Sequence, residues 1–149
     1  MKIYLAQHAE AIDKSADPAR PISRDGAVTA ARVAAHIARH DIGITAIRHS
    51  GKLRSKQTAE VYAEHLGVSD ISEMSGMNPN DDVRAFISGL NLDSTLYVGH
   101  LPHLDKTLSC LIGGNRDQGV LIFKNSGIAC IELGGAEPSL LWYLSPDIC

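Results

Sequence analysis

Short apolar runs alternate along this chain with longer segments that are apolar on one side only. Apolar runs of four to eight residues between turn-forming residues predict strands. Alanine-rich and amphipathic segments predict helices. The predicted strands cover residues 2–7, 44–50, 94–99, 127–133 and 140–144. The predicted helices cover residues 24–40, 53–66, 81–89 and 102–112.

The ends of the predicted helices carry residues that are typical of helix caps. Ser23 precedes the first helix and can accept a hydrogen bond from an unpaired backbone N–H. Gly67 follows the second helix and suits a left-handed C-cap. Residues 67–82 are rich in Ser, Asn, Asp, Gly and Pro, which predicts a turn-rich excursion within one domain.

The alternation of strands and helices predicts the fold class. It favours a single three-layer α/β/α domain with a mostly parallel sheet, and 149 residues is about the length of one domain. Ligands of such sheets bind beyond the carboxyl ends of the strands. Gln7-His8, His49-Ser50 and Gly99-His100 lie at three of these predicted ends. We therefore expect them to meet at one edge of the sheet.

Composition and charge exclude several classes of protein. The chain is 44% hydrophobic and 21% charged, which is ordinary for a globular domain and unlike a disordered chain. The net charge of −3 argues against a nucleic-acid partner. No stretch approaches the ~20 apolar residues of a membrane span. The short apolar run at the N-terminus does not fit a signal peptide. We therefore expect a cytoplasmic protein without a membrane partner.

The cysteines and the spaced histidines predict structural roles. The count of three cysteines, with no close pair, does not fit a disulfide framework or a zinc site. Cys110 and Cys130 are expected to be small core residues. His36 and His40 have the i, i+4 spacing of a metal pair. Because no carboxylate motif accompanies them, we expect surface histidines. His103 is expected to border a pocket or to face solvent.

Basic residues at a helix start predict an anion site. Arg54 falls in the first turn of the predicted helix 53–66, where the helix N-terminus already carries partial positive charge. A cation there is unfavourable unless an anion compensates it. Lys52 and Lys56 are expected to be solvated surface cations. Arg20, taken alone, fits a surface ion pair of little energetic value.

Four motifs, in order along nearly the whole chain, resemble those of the histidine phosphatase superfamily. Within that superfamily the chain is most similar to the SixA-type phosphohistidine phosphatases. Gln7-His8-Ala9 resembles the Arg-His-Gly motif that follows the first strand. The other three motifs are Arg20-Pro21-Ile22-Ser23-x-x-Gly26, Ser50-x-x-Leu53-Arg54-Ser55-x-Gln57-Thr58 and Gly99-His100-Leu101-Pro102.

The resemblance implies a phosphoglycerate mutase-like fold and a metal-independent phosphatase without a cofactor. It implies that His8 attacks phosphorus and forms a phosphohistidine intermediate, which water then hydrolyses. Arg20, Arg54 and His100 would hold the phosphoryl oxygens, with Gln7 beside them. His8 must be neutral to attack, whereas His100 would help most when protonated. The implied partner is a phosphohistidine-bearing signalling or phosphocarrier protein. Inorganic phosphate would be the product, and the enzyme is expected to be a monomer.

The chain departs from the family pattern beside the nucleophile. Gln7 replaces the motif arginine and Ala9 replaces the glycine. Losing a charge-assisted donor of this kind costs on the order of 10²–10³ in rate. Arg48 or Arg84 is a candidate to replace the lost charge.

A second departure concerns the acid that protonates the leaving group. Gly76 stands where relatives often carry a carboxylate, and Glu73, Asp81 and Asp82 are the nearby carboxylates in sequence. Two alternatives to a phosphohistidine phosphatase therefore stay open. One is a weak or inactive relative that only binds phosphate or phosphohistidine. The other is a small-molecule phosphomonoesterase.

Overall fold

Six strands form one sheet with the order β3-β2-β4-β1-β5-β6 in a computed structural model that describes residues 1–114 and 117–149. The strands are β1 (Lys2–Gln7), β2 (Ala46–His49), β3 (Asp70–Glu73), β4 (Thr95–Gly99), β5 (Ile128–Glu132) and β6 (Ser139–Leu144). The helices are α1 (Arg24–Ala38), α2 (Leu53–Leu66), α3 (Val83–Ser88) and α4 (His103–Gly113), and a 3₁₀ turn covers Pro146–Ile148.

The sheet is mostly parallel, as predicted. Strands β1, β2, β3 and β4 run in the same direction, and β5 runs antiparallel to β1. Strand β6 pairs antiparallel with β5 and so points the same way as β1. The predicted three-layer α/β/α architecture is therefore confirmed.

Strand β3 is the element that the sequence pattern failed to predict. It lies inside the turn-rich stretch 67–82 and forms one edge of the sheet beside β2. Its pattern is polar because Asp70, Ser72 and Glu73 are exposed and only Ile71 is partly buried. An edge strand with little buried surface lacks the apolar run that identifies a strand in sequence.

The core lies on both faces of the sheet, which explains the continuous apolar run of β1. Tyr4 and Ala6 pack with α1 and α2 on one face. Ile3 and Leu5 pack with α3 and α4 on the other. A strand that is buried on both sides shows no polar alternation.

Specific contacts fix the ends of α1 and α2. The hydroxyl of Ser23 accepts a hydrogen bond from the backbone N–H of Gly26 over 2.9 Å, which confirms the predicted cap. A Cβ atom on Gly26 would lie 2.3 Å from the carbonyl oxygen of Glu10, so the loop after β1 crosses α1 where only glycine fits. Gly67 ends α2 at φ 66°, in the left-handed region, as predicted.

One of the two cysteine predictions is wrong. Cys130 is buried in β5, as expected. Cys110 is only partly buried, because it lines a cavity of about 610 Å³ together with Asp81, Arg84 and Lys106. Among the described helices, none is both long and apolar enough to cross a bilayer.

Candidate active site

The carboxyl ends of three neighbouring parallel strands bring the predicted residues together. In the sheet, β4 lies between β1 and β2, with Gln7 opposite Gly99 and His49 opposite Val98. The residues that follow these strands meet at this edge, as predicted. The ring centroids of His8 and His100 are 5.0 Å apart. The hydroxyl of Ser50 lies 2.6 Å from Nε2 of His100.

Hydrogen bonds define the tautomer of His8. Its Nδ1 lies 2.6 Å from the carbonyl oxygen of Ala9. A carbonyl oxygen can only accept, so Nδ1 carries the proton. Nε2 accepts a hydrogen bond from Nε of Arg54 over 3.2 Å, so Nε2 holds the lone pair. This is the tautomer in which Nε2 can act as a nucleophile.

The pKa values of both histidines are low. Burial, together with the positive charges of Arg54 and Arg20, lowers the pKa of His8 to about 4. His8 is therefore neutral near neutral pH, as attack requires. Burial, with the charges of His8, Arg54 and Lys52, lowers the pKa of His100 to about 3. His100 is therefore neutral near neutral pH too.

The site contains two arginines that form no ion pair with any described residue. Arg54 is half-buried in the first turn of α2, and burial and the charge of Arg20 lower its pKa. Nε of Arg20 donates to the carbonyl oxygen of Ile12 over 3.2 Å. Among the described residues, no carboxylate lies within ion-pair distance of either guanidinium. The exposed Asp13 is close enough to feel the charge of Arg20 but forms no ion pair with it. Such a site favours an anion.

The lysines that flank Arg54 behave differently from each other. Lys56 is exposed and lies 3.9 Å from Glu60, one helical turn further on. Lys52 is exposed too, as expected, but its charge helps to lower the pKa of His100. Lys52 therefore belongs to the electrostatic surroundings of the site.

Thr58 and Gln57, two residues of α2, form hydrogen bonds that hold the loops of the site. The sequence motifs include both residues but assign them no role. The hydroxyl of Thr58 accepts from the backbone N–H of Ala9 over 2.9 Å and donates to the carbonyl oxygen of Arg54 over 2.7 Å. Thr58 thus links Ala9, the residue after His8, to Arg54, whose side chain bonds to the His8 ring. Oε1 of Gln57 accepts from the backbone N–H of Ile22 over 2.9 Å and so holds the loop that carries Arg20.

Asn125 is a site residue that sequence reasoning missed. Its Nδ2 donates to the carbonyl oxygen of His8 over 2.8 Å. The next residue, Ser126, has a positive φ of 66°, and its N–H donates to the carbonyl oxygen of Gln7. The hydroxyl of Tyr62 donates to the carbonyl oxygen of Ser126 over 2.7 Å. The sequence carries only a weak signal for this contact, a turn-forming Asn-Ser-Gly before a strand.

Neither arginine that was considered as a substitute for the lost charge acts on His8. The carboxylate of Asp70 binds the Arg48 guanidinium, with N···O distances of 2.8 and 2.9 Å. Arg84 is exposed on α3. The arginines whose charges act on His8 are Arg54 and Arg20. Oε1 of Gln7 is buried and has no hydrogen-bond partner in the described part of the chain.

The candidate general acids lie against other groups. The carboxylate of Glu73 covers Gly51, and its charge partly offsets the burial that lowers the pKa of His49. Asp81 accepts from the backbone N–H of Asn78, and its charge partly offsets the burial that lowers the pKa of His103. The charged groups that act on His8 and His100 are all basic. We therefore assign no carboxylic acid to this site.

The remaining histidines lie outside the site. Nδ1 of His49 accepts from the backbone N–H of Gly51 over 3.1 Å, which shapes the turn after β2. His103 is 1% exposed and packs edge-on against Phe86, so the expectation that it faces solvent is wrong. His36 and His40 stack on each other at the surface, as predicted. No group of three metal-ligating side chains occurs among the described residues.

The missing side chain of Gly99 leaves room for a neighbouring helix. A Cβ atom at Gly99 would lie 3.2 Å from Cδ2 of Leu104, so the space is filled by the first turn of α4.

Comparison with solved structures identifies the fold. The chain superposes on the protein histidine phosphatase SixA in complex with tungstate with a TM-score of 0.86, 24% identity and 99% coverage of both chains. An Agrobacterium tumefaciens protein provisionally assigned as phosphohistidine phosphatase SixA gives 0.78, with 24% identity and 97% coverage of both. The α-ribazole phosphatase of Shigella flexneri gives 0.78 at 14% identity, covering 98% of this chain and 97% of that one.

These neighbours are phosphatases of the histidine phosphatase type, and the chain has their phosphoglycerate mutase-like fold. The fold that the resemblance implied is thus confirmed. No model of a known protein family matches the chain, and no curated protein sequence matches it.

Proposed function

We propose that this chain is a histidine phosphatase that removes phosphate from a phosphohistidine on a signalling or phosphocarrier protein. One observation carries the proposal: Nε2 of a neutral His8 holds its lone pair beside the guanidinium groups of Arg54 and Arg20, which form no ion pair among the described residues. A nucleophile surrounded by positive charge suits a phosphoryl group. SixA, which has the same fold, binds tungstate, an oxyanion.

In the proposed reaction, Arg20, Arg54 and His100 hold the phosphoryl oxygens, and Nε2 of His8 attacks phosphorus. The bond between phosphorus and the substrate nitrogen breaks as the bond to Nε2 forms. The substrate leaves as neutral imidazole when its other ring nitrogen is protonated. A water oxygen then attacks phosphorus and the bond to Nε2 breaks. Both protons of the water leave on inorganic phosphate, as dihydrogen phosphate, and His8 returns to the neutral form with its proton on Nδ1.

The absence of an assigned acid favours phosphohistidine over phosphate esters. An alkoxide leaving group needs a proton from a positioned acid, whereas a protonated phosphohistidine does not. The charged groups that act on His8 and His100 are all basic. A small-molecule phosphomonoesterase is the second candidate, because the α-ribazole phosphatase shares the fold. Relative rates on phosphohistidine and on sugar phosphates separate the two.

A third candidate is a module that binds phosphate or phosphohistidine without turnover. Gln7 is the observation that favours it, because neither Arg48 nor Arg84 replaces the charge of the motif arginine. This candidate predicts phosphate binding without hydrolysis. We further propose that the protein acts in the cytoplasm as a monomer.

The test is phosphate release from a histidine-phosphorylated carrier protein by the wild type, His8→Ala and His36→Ala. We expect release, with an acid-labile phosphoenzyme, from the wild type and from the surface variant His36→Ala only. Full activity of His8→Ala would remove the covalent mechanism. Phosphate binding by the wild type without release would favour the binding module. Faster release from sugar phosphates would favour the phosphomonoesterase.

A further inference from the structure

An apolar groove of about 230 Å³ adjoins the candidate active site. One wall is the start of α4, and the other is the loop that precedes β5. The groove is lined by Leu101, Pro102, Asp105, Leu121, Ile122 and Phe123. Ile122 is 86% exposed and Leu101 is 38% exposed. Large apolar side chains exposed side by side are typical of a surface that binds a partner.

Both walls of the groove continue directly into the site. Leu101 follows His100, whose ring contacts Ser50 and faces the ring of His8. On the other wall, Phe123 is two residues before Asn125, whose amide donates to the carbonyl oxygen of His8. A ligand with its phosphoryl group on His8 therefore has the groove within reach of its adjacent atoms.

The site and the groove together specify two chemical features of the ligand. Arg20 and Arg54, without a carboxylate partner among the described residues, require an anion. The groove requires apolar side chains. A free phosphate or a small sugar phosphate satisfies the first requirement and leaves Ile122 in water. A segment of polypeptide that carries a phosphoryl group beside apolar side chains satisfies both.

We infer that this groove binds apolar side chains that flank the phosphohistidine of the partner protein. The inference rests on the proposed function and names the chemistry of its partner. Asp105 is the one charged residue in the lining of the groove.

Synthetic peptides test the inference without the natural partner. The reference peptide carries phosphohistidine between glycines, and in the other peptides leucine replaces one flanking glycine at a time. Burying one large apolar side chain corresponds to at least about a tenfold gain in affinity. We expect the wild type to hydrolyse at least one leucine peptide with a kcat/KM about tenfold above that of the glycine peptide.

Ile122→Asn and Ile148→Asn are the matched variants. Ile148 is also an exposed isoleucine, at 71%, but it lies in the 3₁₀ turn that packs against α1, on the opposite face of the sheet. We expect Ile122→Asn to lose the leucine preference and Ile148→Asn to keep it. All three proteins should hydrolyse the glycine peptide equally, because neither isoleucine contacts the phosphoryl site.

Two results would overturn the inference: equal kcat/KM for all peptides in the wild type, or a leucine preference that survives in Ile122→Asn. If no peptide is hydrolysed, the proposed function fails and the groove is judged by binding. The probes are then the same peptides with a stable phosphohistidine analogue, bound to His8→Ala with and without Ile122→Asn. Tighter binding of a leucine peptide that depends on Ile122 supports the groove, and equal binding refutes it.

Discussion

Arg54 donates a hydrogen bond from Nε to Nε2 of His8 over 3.2 Å, so a guanidinium group holds the nitrogen that would attack phosphorus. The contact has two consequences. It keeps the lone pair on Nε2, and its positive charge helps to lower the pKa of His8. The Thr58 hydroxyl bonds to the backbone of both Arg54 and Ala9, so it holds in place the backbone that carries Arg54 and the backbone next to His8.

We expect Arg54→Lys to lower kcat on the order of 10²–10³-fold. Lysine keeps the charge but lacks the planar donors that can bond to His8 and to phosphoryl oxygens together. Steady-state phosphate release measures the effect. Arg48→Lys is the control, because Arg48 pairs with Asp70 away from His8. An equal loss in both variants would contradict a specific role of Arg54.

Ser50→Ala tests the hydrogen bond that orients His100. The Ser50 hydroxyl accepts from the backbone N–H of Lys52 over 3.4 Å, and we predict that it donates its own proton to Nε2 of His100, 2.6 Å away. His100 then carries its proton on Nδ1, which has no partner among the described residues and can donate to a phosphoryl oxygen.

We expect Ser50→Ala to lower kcat by about tenfold, a loss of about 1.4 kcal/mol in transition-state binding. Ser50→Thr, which keeps the hydroxyl, should restore most of the activity. Imidazole ¹⁵N spectra should show His100 with Nδ1 protonated in the wild type and a mixture of tautomers in Ser50→Ala. Unchanged spectra and kcat would show that Ser50 does not set this tautomer.

The sequence predicted the parts of the fold that local patterns encode. Strands β1 and β4 are buried on both faces and appear as continuous apolar runs, and the cap at Ser23 lies next to the helix that it begins. The four motifs alone predicted that His8, Arg20, Arg54 and His100 share one site.

The missed features depend on contacts between distant residues. Asn125 is far along the chain from His8, whose carbonyl oxygen it binds. Arg48 was a candidate to replace the lost charge. Its guanidinium instead pairs with the carboxylate of Asp70, which lies on β3, the strand that the pattern did not predict. The low pKa of His100 could not be predicted, because burial depends on the packed structure and not on the residue type.

Gln7→Arg should raise turnover by about tenfold or more. The substitution adds a charge-assisted donor at the end of β1, where Oε1 of Gln7 has no described partner. It also adds a cation near Arg20 and Arg54, so the variant should unfold at a lower temperature in phosphate-free buffer. Added phosphate should raise the unfolding temperature of this variant again. Gln7→Met is the control that removes the amide without adding charge. No gain in Gln7→Arg would mean that Gln7 does not limit the rate.

Acid should destabilise the protein through its two site histidines. Their folded pKa values, about 4 for His8 and about 3 for His100, lie below the ordinary value of about 6.5. Folding therefore favours the neutral rings. This contribution is fully present above pH ~6.5 and is lost as the pH falls toward the folded values.

We expect the unfolding temperature to fall with pH below about 6.5 and to fall less in the double variant His8→Ala, His100→Asn. His36→Ala should follow the wild type. Phosphate should oppose the loss, because an anion stabilises the protonated rings. Thermal unfolding of the three proteins across this pH range, with and without phosphate, measures these effects. Parallel curves for wild type and double variant would exclude these histidines as the source.

Gly26→Ala tests whether packing behind the nucleophile loop supports the site. A Cβ atom at Gly26 would lie 2.3 Å from the backbone oxygen of Glu10, which cannot move without shifting the loop that begins at His8. Overpacking of this kind costs about 1–3 kcal/mol, and the moved loop should lower kcat as well. Gly135→Ala is the control, because its nearest atom is at 3.6 Å and its φ is not positive. Urea unfolding and phosphate release should show losses in Gly26→Ala only. A Gly26→Ala variant with lower stability but full kcat would separate the packing of α1 from the position of His8.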